Sequence, residues 1–193
     1  MQQLQTKQVK FSAVLGLMLL ALVACNKTSA PASGSSDAPA ATASTEAPAA
    51  ASGNSISFVD TQEGKPLIID AALFVTPAAK EFLATGKNIY VGNEEGIAKG
   101  KRVYGLYSCS QCHGPEGKGQ VGPGLVGPTF KYPKNATNKG MFETVWHGTN
   151  GGMGAKGIGL MVAGDNTQGI TTDELLQVIA WIRTKGDGTT GNE

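Results

Sequence analysis

One five-residue segment, Cys109-Ser110-Gln111-Cys112-His113, constrains the fold of this 193-residue chain more than any other feature. In a CxxCH motif the two thiols can add to the vinyl groups of a haem, and the following histidine ligates its iron. A structural zinc site needs four Cys or His ligands, but the chain has only 3 Cys and 2 His. A redox-active dithiol usually belongs to a βαβ unit, which the pattern here does not indicate. We therefore expect one covalent haem c, held by Cys109, Cys112 and His113.

The start of the chain has the features of an export signal. Two lysines precede an apolar run, Phe11–Val23, which is shorter than the ~20 residues that span a bilayer. Such a run indicates a secretory signal peptide. The sequence Leu22-Val23-Ala24-Cys25 resembles the cleavage box of bacterial lipoproteins. We expect a signal peptide at residues 1–24, lipidation of Cys25 and a periplasmic, membrane-anchored protein. The alternative is an ordinary signal peptide in which Cys25 has no role.

The next stretch has the composition of a tether. Residues 25–54 consist mainly of Ala, Pro, Ser, Thr and Gly, without apolar periodicity. Such a segment cannot bury enough apolar surface to offset its ordering entropy, so we expect it to be disordered. A coil of ~28 residues reaches ~30 Å, which would let an anchored carrier meet two partners. Residues 188–193 are expected to form a flexible tail. The net charge of +1 gives no support to nucleic-acid binding.

The folded part is expected to begin with an N-terminal extension at residues 55–90. Two β-like runs, Ser57–Val59 and Leu67–Ile69, flank a turn at residues 64–66. Thr76-Pro77 then opens a helix through Leu83, with Gly86 after its end.

Residues 91–187 are expected to form the main domain. The pattern predicts a helix from Glu94 to about Ser108, a short helix over residues 138–146, and a C-terminal helix that begins with a Thr171/Glu174 capping box and ends near Gly186. Long Gly- and Pro-rich loops join them. Three or four helices joined by long loops would form a poor core by themselves, so we expect a large group at their centre. The prediction is an all-α fold of three to four helices around one haem.

Two glycines, Gly100 and Gly105, fall inside the first helix of this domain. Glycine there costs ~1 kcal/mol relative to alanine. We expect both to allow another helix to approach closely. That helix is the C-terminal one, whose apolar face is formed by Leu175, Leu176, Ile179 and Ile182.

The haem needs further contacts beyond the motif. A ligating histidine needs an acceptor for its other ring nitrogen, and we expect the Pro123 carbonyl to serve, with Leu125 beside the haem. Met153, in a glycine-rich loop, is the first candidate for the sixth ligand of the iron. Met161 is the second, and His147 or an open position remains as an alternative. Met141 falls on a helix and is expected in the core.

The folded part matches a known family in eight segments, which are 79–88, 100–104, 109–114, 122–125, 132–135, 140–144, 152–154 and 176–183. On these segments it resembles cytochrome c-L, the electron acceptor of PQQ-dependent methanol dehydrogenases. The resemblance implies a class I cytochrome c fold, one haem, and His113 with Met153 as axial ligands. This chain differs in its near-neutral charge, its lipoprotein signal, a longer stretch at residues 155–170, and His147.

The function implied by the resemblance is electron transfer, not enzymatic catalysis. A PQQ-dependent alcohol dehydrogenase would reduce the haem, and a downstream cytochrome or terminal oxidase would oxidise it. By analogy, the dehydrogenase could be a lanthanide-dependent form. One alternative is a general lipoprotein cytochrome that feeds an oxidase from a different donor. Another is a haem enzyme or gas sensor with an open sixth position; a single CxxCH, far from the C-terminus, argues against it.

Overall fold

A computed structural model describes residues 55–186 and shows a mostly helical protein with one small sheet. The predicted signal peptide, Cys25 with its expected lipidation, the predicted linker and the predicted C-terminal tail lie outside the described residues. In the described part, no helix is both long and apolar enough to cross a membrane. The elements are β1 Phe58–Val59, β2 Pro66–Leu67, α1 Pro77–Thr85, α2 Glu94–Leu106, α3 Cys109–His113, α4 Asn138–His147 and α5 Thr172–Arg183, with 3-10 turns at Ala71–Leu73 and Pro133–Ala136.

The helix ends follow from side-chain caps that the sequence already indicates. The Thr76 hydroxyl accepts from Ala79 N at the start of α1, and Gly86 ends that helix in the left-handed region with a φ of 80°. Thr171 and Glu174 form the expected capping box of α5. Helix α5 ends at Arg183, before Gly186, where Thr184 N and Lys185 N donate to the carbonyls three residues earlier, those of Trp181 and Ile182.

The helix predicted from Glu94 to about Ser108 begins at Glu94 and ends two residues earlier, at Leu106. Helix α2 stops at Leu106, and Ser108 adopts a φ of 56° before α3 begins. This left-handed residue turns the chain so that the CxxCH motif forms its own short helix. Because α3 is a separate helix, residues 55–186 contain five α-helices, against the three to four expected.

Helices α2 and α5 cross in close contact at Gly100. A Cβ atom there would lie 1.9 Å from the Gln177 carbonyl oxygen, so only glycine lets the two backbones approach this closely. The prediction for Gly105 was wrong, because nothing lies within 4 Å of a Cβ at that position. Elsewhere on α2, Val103 is buried, whereas Leu106 is 74% exposed.

The N-terminal extension contributes directly to the core. Phe58 of the hairpin stacks on Phe74 and on Phe142 of α4, with ring centroids 6.0 and 5.6 Å apart. Phe82 of α1 packs against Phe142 at 4.9 Å, and Phe142 stacks on Trp146. These buried rings join three parts of the chain that are distant in sequence, and the burial of such rings is a large stabilising contribution.

A buried carboxylate fastens the hairpin to α4. Glu143 is 2% exposed and forms ion pairs with Lys134, at 2.9 Å, and with Lys139, at 2.6 Å. It also accepts a hydrogen bond from Val59 N at 2.8 Å. A buried charge is tolerated only when it is paired and hydrogen-bonded. The carboxylate of Glu143 meets this requirement through its three partners.

The hairpin turn is closed by a second carboxylate. Asp60 is buried and accepts from the backbone N–H groups of Gln62, Glu63 and Lys65. These hydrogen bonds, chiefly the one from Glu63, hold the pKa of Asp60 below its usual value. The strands then pair antiparallel, with Phe58 opposite Leu67.

Candidate haem site

A cavity of about 540 Å³ opens between the motif, the loops and helices α4 and α5. All the residues predicted to hold the haem, Cys109, Cys112, His113, Pro123, Leu125 and Met153, line it. Apolar side chains cover much of its wall, among them Val145, Ile170, Val178 and Ile182.

Helix α3 sets the thiols and the imidazole on one wall. Cys109 is half-buried and Cys112 is exposed, and both are free thiols. Burial raises the pKa of the Cys109 thiol. His113 follows them and is buried. This arrangement places two groups that can form thioethers beside one iron ligand.

The orientation of His113 is fixed by the loop that follows it. His113 Nδ1 lies 2.7 Å from the Pro123 carbonyl oxygen, the acceptor expected from the sequence. Because a carbonyl only accepts, Nδ1 carries the proton and Nε2 is left free to ligate iron.

Two backbone hydrogen bonds hold this loop against α3. Gly122 N donates to the Cys112 carbonyl at 2.7 Å, and Gly119 N donates to the His113 carbonyl at 2.9 Å. A Cβ at Gly122 would lie 3.1 Å from His113 Cε1. The loop therefore packs closely against the imidazole.

A buried tyrosine supports the same region, and sequence reasoning missed it. Tyr104 of α2 donates from its hydroxyl to the Gly114 carbonyl at 2.8 Å, one residue after His113. Burial raises the pKa of Tyr104 to about 12, so the phenol stays protonated and donates at neutral pH. Its ring packs on Trp181 of α5 at 4.5 Å. The sequence signal was only an apolar position on α2, which predicts burial but not this hydrogen bond.

The candidates for the sixth ligand of the iron differ in whether they line the cavity. Met153 lines the cavity, and its carbonyl accepts from Thr149 N at 2.8 Å, which closes the loop that carries it. Met161 does not line the cavity. Met141 lines it from α4 and is 1% exposed, as expected for a core residue.

His147, at the end of α4, is not part of the cavity lining. Its Nδ1 is buried and has no hydrogen-bond partner among residues 55–186. Nothing in the structure explains this unpaired nitrogen.

The stretch at residues 155–170 contributes two residues, Lys156 and Ile170, to the cavity lining. Gly157 and Ile170 form a parallel bridge, and Lys156 N donates to the carbonyls of Val145 and Trp146. This loop therefore packs on α4 and brings the Lys156 side chain to the cavity. Lys131 lines the cavity as well, and the sequence analysis identified neither of these two lysines as a lining residue.

The residues present fit a covalently attached haem. Two free thiols, an oriented imidazole and a thioether line one apolar cavity, and these are the donor types that c-type haem iron and its vinyl groups require. Within residues 55–186, no group of three or more His, Cys, Asp or Glu side chains could hold a metal ion.

Comparison with known proteins agrees with this geometry. The Cytochrome c family model matches residues 97–185. The solved structure of cytochrome cL from Hyphomicrobium denitrificans is 41% identical, with a TM-score of 0.57, over 67% of this chain and 73% of that chain. Cytochrome CL from the marine methylotrophic bacterium Methylophaga aminisulfidivorans is 35% identical, with a TM-score of 0.56, over 67% and 79%. The chain belongs to the cytochrome c-L family.

Membership of the cytochrome c-L family identifies the cofactor as covalently bound haem c and the fold as that of a class I cytochrome c. A curated relative, cytochrome c-L of Methylorubrum extorquens, is 41% identical over 108 residues. That match covers 56% of this chain and 49% of the relative, so the chain spans about half of that cytochrome c-L. The family model begins at residue 97, after the extension whose phenylalanines complete the core.

Proposed function

We propose that this chain carries single electrons from a periplasmic PQQ-dependent methanol or other alcohol dehydrogenase to a downstream cytochrome or terminal oxidase. The observation that carries the proposal is the cavity that brings an oriented histidine and a methionine together with both motif cysteines. When bound, haem c supplies a one-electron Fe³⁺/Fe²⁺ couple. If His113 and Met153 both held the iron of a bound haem, no position would remain for a substrate, which favours electron transfer over catalysis.

The residues of the chain have separate roles in this function. The thiols of Cys109 and Cys112 attach the cofactor, and the Pro123 carbonyl keeps the His113 ring in one orientation and one tautomer. The Met153 thioether favours a high reduction potential. A rigid site of this kind changes little in geometry when the charge changes, because its loops are hydrogen-bonded to α3 and α4.

The choice of donor rests on the family. The relatives are cytochromes c-L, and one of the solved structures comes from a methylotrophic bacterium. The proposed location also needs the N-terminal segment. We propose that residues 1–24 are removed, that Cys25 is acylated, and that residues 25–54 tether the cytochrome to a membrane facing the periplasm. Two or more acyl chains anchor a protein stably.

Stopped-flow reduction of the purified holoprotein tests the donor. The PQQ-dependent alcohol dehydrogenase of the same organism, with methanol, should reduce the haem at rates that match its turnover. Ascorbate serves as the control reductant. A haem that ascorbate reduces and the dehydrogenase does not would discard the proposed donor. The remaining function would be a general lipoprotein cytochrome that feeds an oxidase from another donor.

The proposed anchor has its own test. The Cys25→Ala variant should leave the membrane fraction and appear in the soluble periplasmic fraction with its haem attached. If the wild-type protein is itself recovered in the soluble fraction, the lipidation proposal is wrong.

A further inference from the structure

Two tyrosines near the end of α2 each donate a hydrogen bond to a glycine carbonyl beside the haem cavity. The Tyr104 hydroxyl lies 2.8 Å from the Gly114 carbonyl oxygen, and the Tyr107 hydroxyl lies 2.7 Å from the Gly169 carbonyl oxygen. Both tyrosines line the cavity. One short stretch of chain therefore holds two segments of the cavity wall that are far apart in sequence.

Each acceptor glycine is the chain neighbour of a residue that lines the cavity. Gly114 follows His113, and Gly169 precedes Ile170. The two glycines have φ values of 76° and 125°, a region that glycine enters at little cost. The two hydrogen bonds therefore act on turns of the backbone directly beside the cavity.

The Tyr104 bond acts on the loop that orients His113. The buried Gly114 carbonyl also accepts from Gly117 N at 3.2 Å, and the Gly117 carbonyl accepts from Leu125 N at 2.7 Å. Leu125 lies two residues after the carbonyl that holds the imidazole. Loss of the Tyr104 hydroxyl would leave the Gly114 carbonyl with one donor fewer. The turn after the motif could then shift, and the hydrogen bond of the imidazole should weaken.

The Tyr107 bond acts on the segment that follows Met153. Next to Gly169, Ile170 N donates to the Lys156 carbonyl at 2.7 Å. Lys156 lies three residues after Met153, and its own N–H donates to two carbonyls of α4, at 3.1 and 3.2 Å. These hydrogen bonds hold the chain on the C-terminal side of the methionine. The Tyr107 hydroxyl should therefore restrain how far the methionine loop moves.

We propose that Tyr104 and Tyr107 are positioning residues for the two axial ligands, so that the Tyr104 hydroxyl holds His113 in place and the Tyr107 hydroxyl holds Met153. The inference rests on the axial ligands of the proposed function and adds the groups that keep each ligand in position. Residues that hold a metal ligand from behind commonly tune the metal. Burial raises the pKa of both phenols, so both remain hydrogen-bond donors at neutral pH.

Tyr104→Phe and Tyr107→Phe test the two roles in the holoprotein, since each removes one hydroxyl and keeps the ring. The exchange rate of the His113 Nδ1 proton with D₂O, measured by NMR, reports on its hydrogen bond to Pro123. Tyr104→Phe should raise this rate about fivefold, which corresponds to ~1 kcal/mol for one hydrogen bond. Tyr107→Phe should leave it within a factor of about 2, because its acceptor belongs to a different segment.

Exogenous imidazole reports on the other ligand, because it can bind the iron only after Met153 has left. Tyr107→Phe should raise the apparent affinity for imidazole about fivefold, since the open form becomes more populated by the same ~1 kcal/mol. The loss of the Met–Fe absorption signature measures the binding. Tyr104→Phe should leave the affinity within a factor of about 2. Each variant is thus the matched control of the other.

Guanidinium unfolding of both variants measures the loss of stability that they share. Equal effects of the two variants on both measurements would mean that the hydroxyls only stabilise the fold, and this would overturn the proposal. No effect of either variant, or Tyr104→Phe acting only on imidazole and Tyr107→Phe only on proton exchange, would also overturn it.

Failure of the proposed function gives a different result. A wild-type protein without the Met–Fe absorption signature rejects Met153 as a ligand, and with it the role of Tyr107, whereas proton exchange still decides the role of Tyr104. Neither measurement uses the dehydrogenase, so both results are independent of the proposed donor.

Discussion

Replacement of Gly100 by alanine should destabilise the protein, although alanine is the better helix former. The added Cβ would lie 1.9 Å from the Gln177 carbonyl oxygen and 2.4 Å from the carbonyl carbon. To restore even 3.0 Å, α2 and α5 would have to separate by about 1.1 Å. Overpacking of a core costs ~1–3 kcal/mol of stability. A clash with a backbone carbonyl, which cannot rotate away, should cost at least the upper value of this range. Alanine recovers at most ~1 kcal/mol of helix propensity. The expected net loss is ~2 kcal/mol or more.

Gly105→Ala is the matched control in the same helix. Nothing lies within 4 Å of its Cβ position, so the variant should gain up to ~1 kcal/mol. Guanidinium unfolding of the holoproteins, followed by far-ultraviolet circular dichroism, measures both changes. With a slope of ~4 kcal/mol per M, Gly100→Ala should lower the midpoint by about 0.5 M. A Gly100→Ala variant at least as stable as wild type would refute the reasoning that the helix crossing requires glycine.

Three further predictions concern the site and the hairpin. Met153→Ala should abolish the absorption signature of Met–Fe ligation while Met161→Ala keeps it, and the opposite result in the absorption spectra would exchange the two roles. In Gly122→Ala the added methyl group should press on the His113 ring and weaken its hydrogen bond to the Pro123 carbonyl. His113 would then be a weaker electron donor to iron, so the reduction potential measured by potentiometric titration should rise. An unchanged potential would contradict this. Asp60→Asn should lower the Tm at pH 7. Since the pKa of Asp60 is below 3.8 in the folded protein, its contribution is present above pH 3.8 and is lost below it, where the Tm difference should shrink; a pH-independent difference would exclude this cause.

Local sequence signals were sufficient for most helix boundaries and for naming six residues that line one cavity, Cys109, Cys112, His113, Pro123, Leu125 and Met153. Thr76, Gly86, Thr171 and Glu174 define helix ends through caps that involve neighbouring residues only. The contact between the Pro123 carbonyl and His113 also follows from a short loop, since ten residues separate them.

Other features depend on contacts that the sequence does not display. Gly100 and Gly105 look alike in sequence, but only one of them faces α5. The break after Leu106 depends on the conformation of Ser108, which has no marked preference for the left-handed region. The ion pairs of buried Glu143 and its hydrogen bond from Val59 N join residues from three elements, so no local pattern could indicate that this acidic residue lies in the interior.

Helix α4 has two different faces, and this arrangement has a consequence for maturation of the protein. Met141, Thr144 and Val145 border the cavity, whereas Phe142 and Trp146 belong to the aromatic cluster of the extension. None of the stacked rings of that cluster lines the cavity. The aromatic cluster thus forms a part of the core that does not contact the cofactor cavity. Before the haem is attached, we expect the extension, α4 and α5 to assemble around those rings while the long loops stay open, so that the porphyrin enters a half-built protein from the loop side.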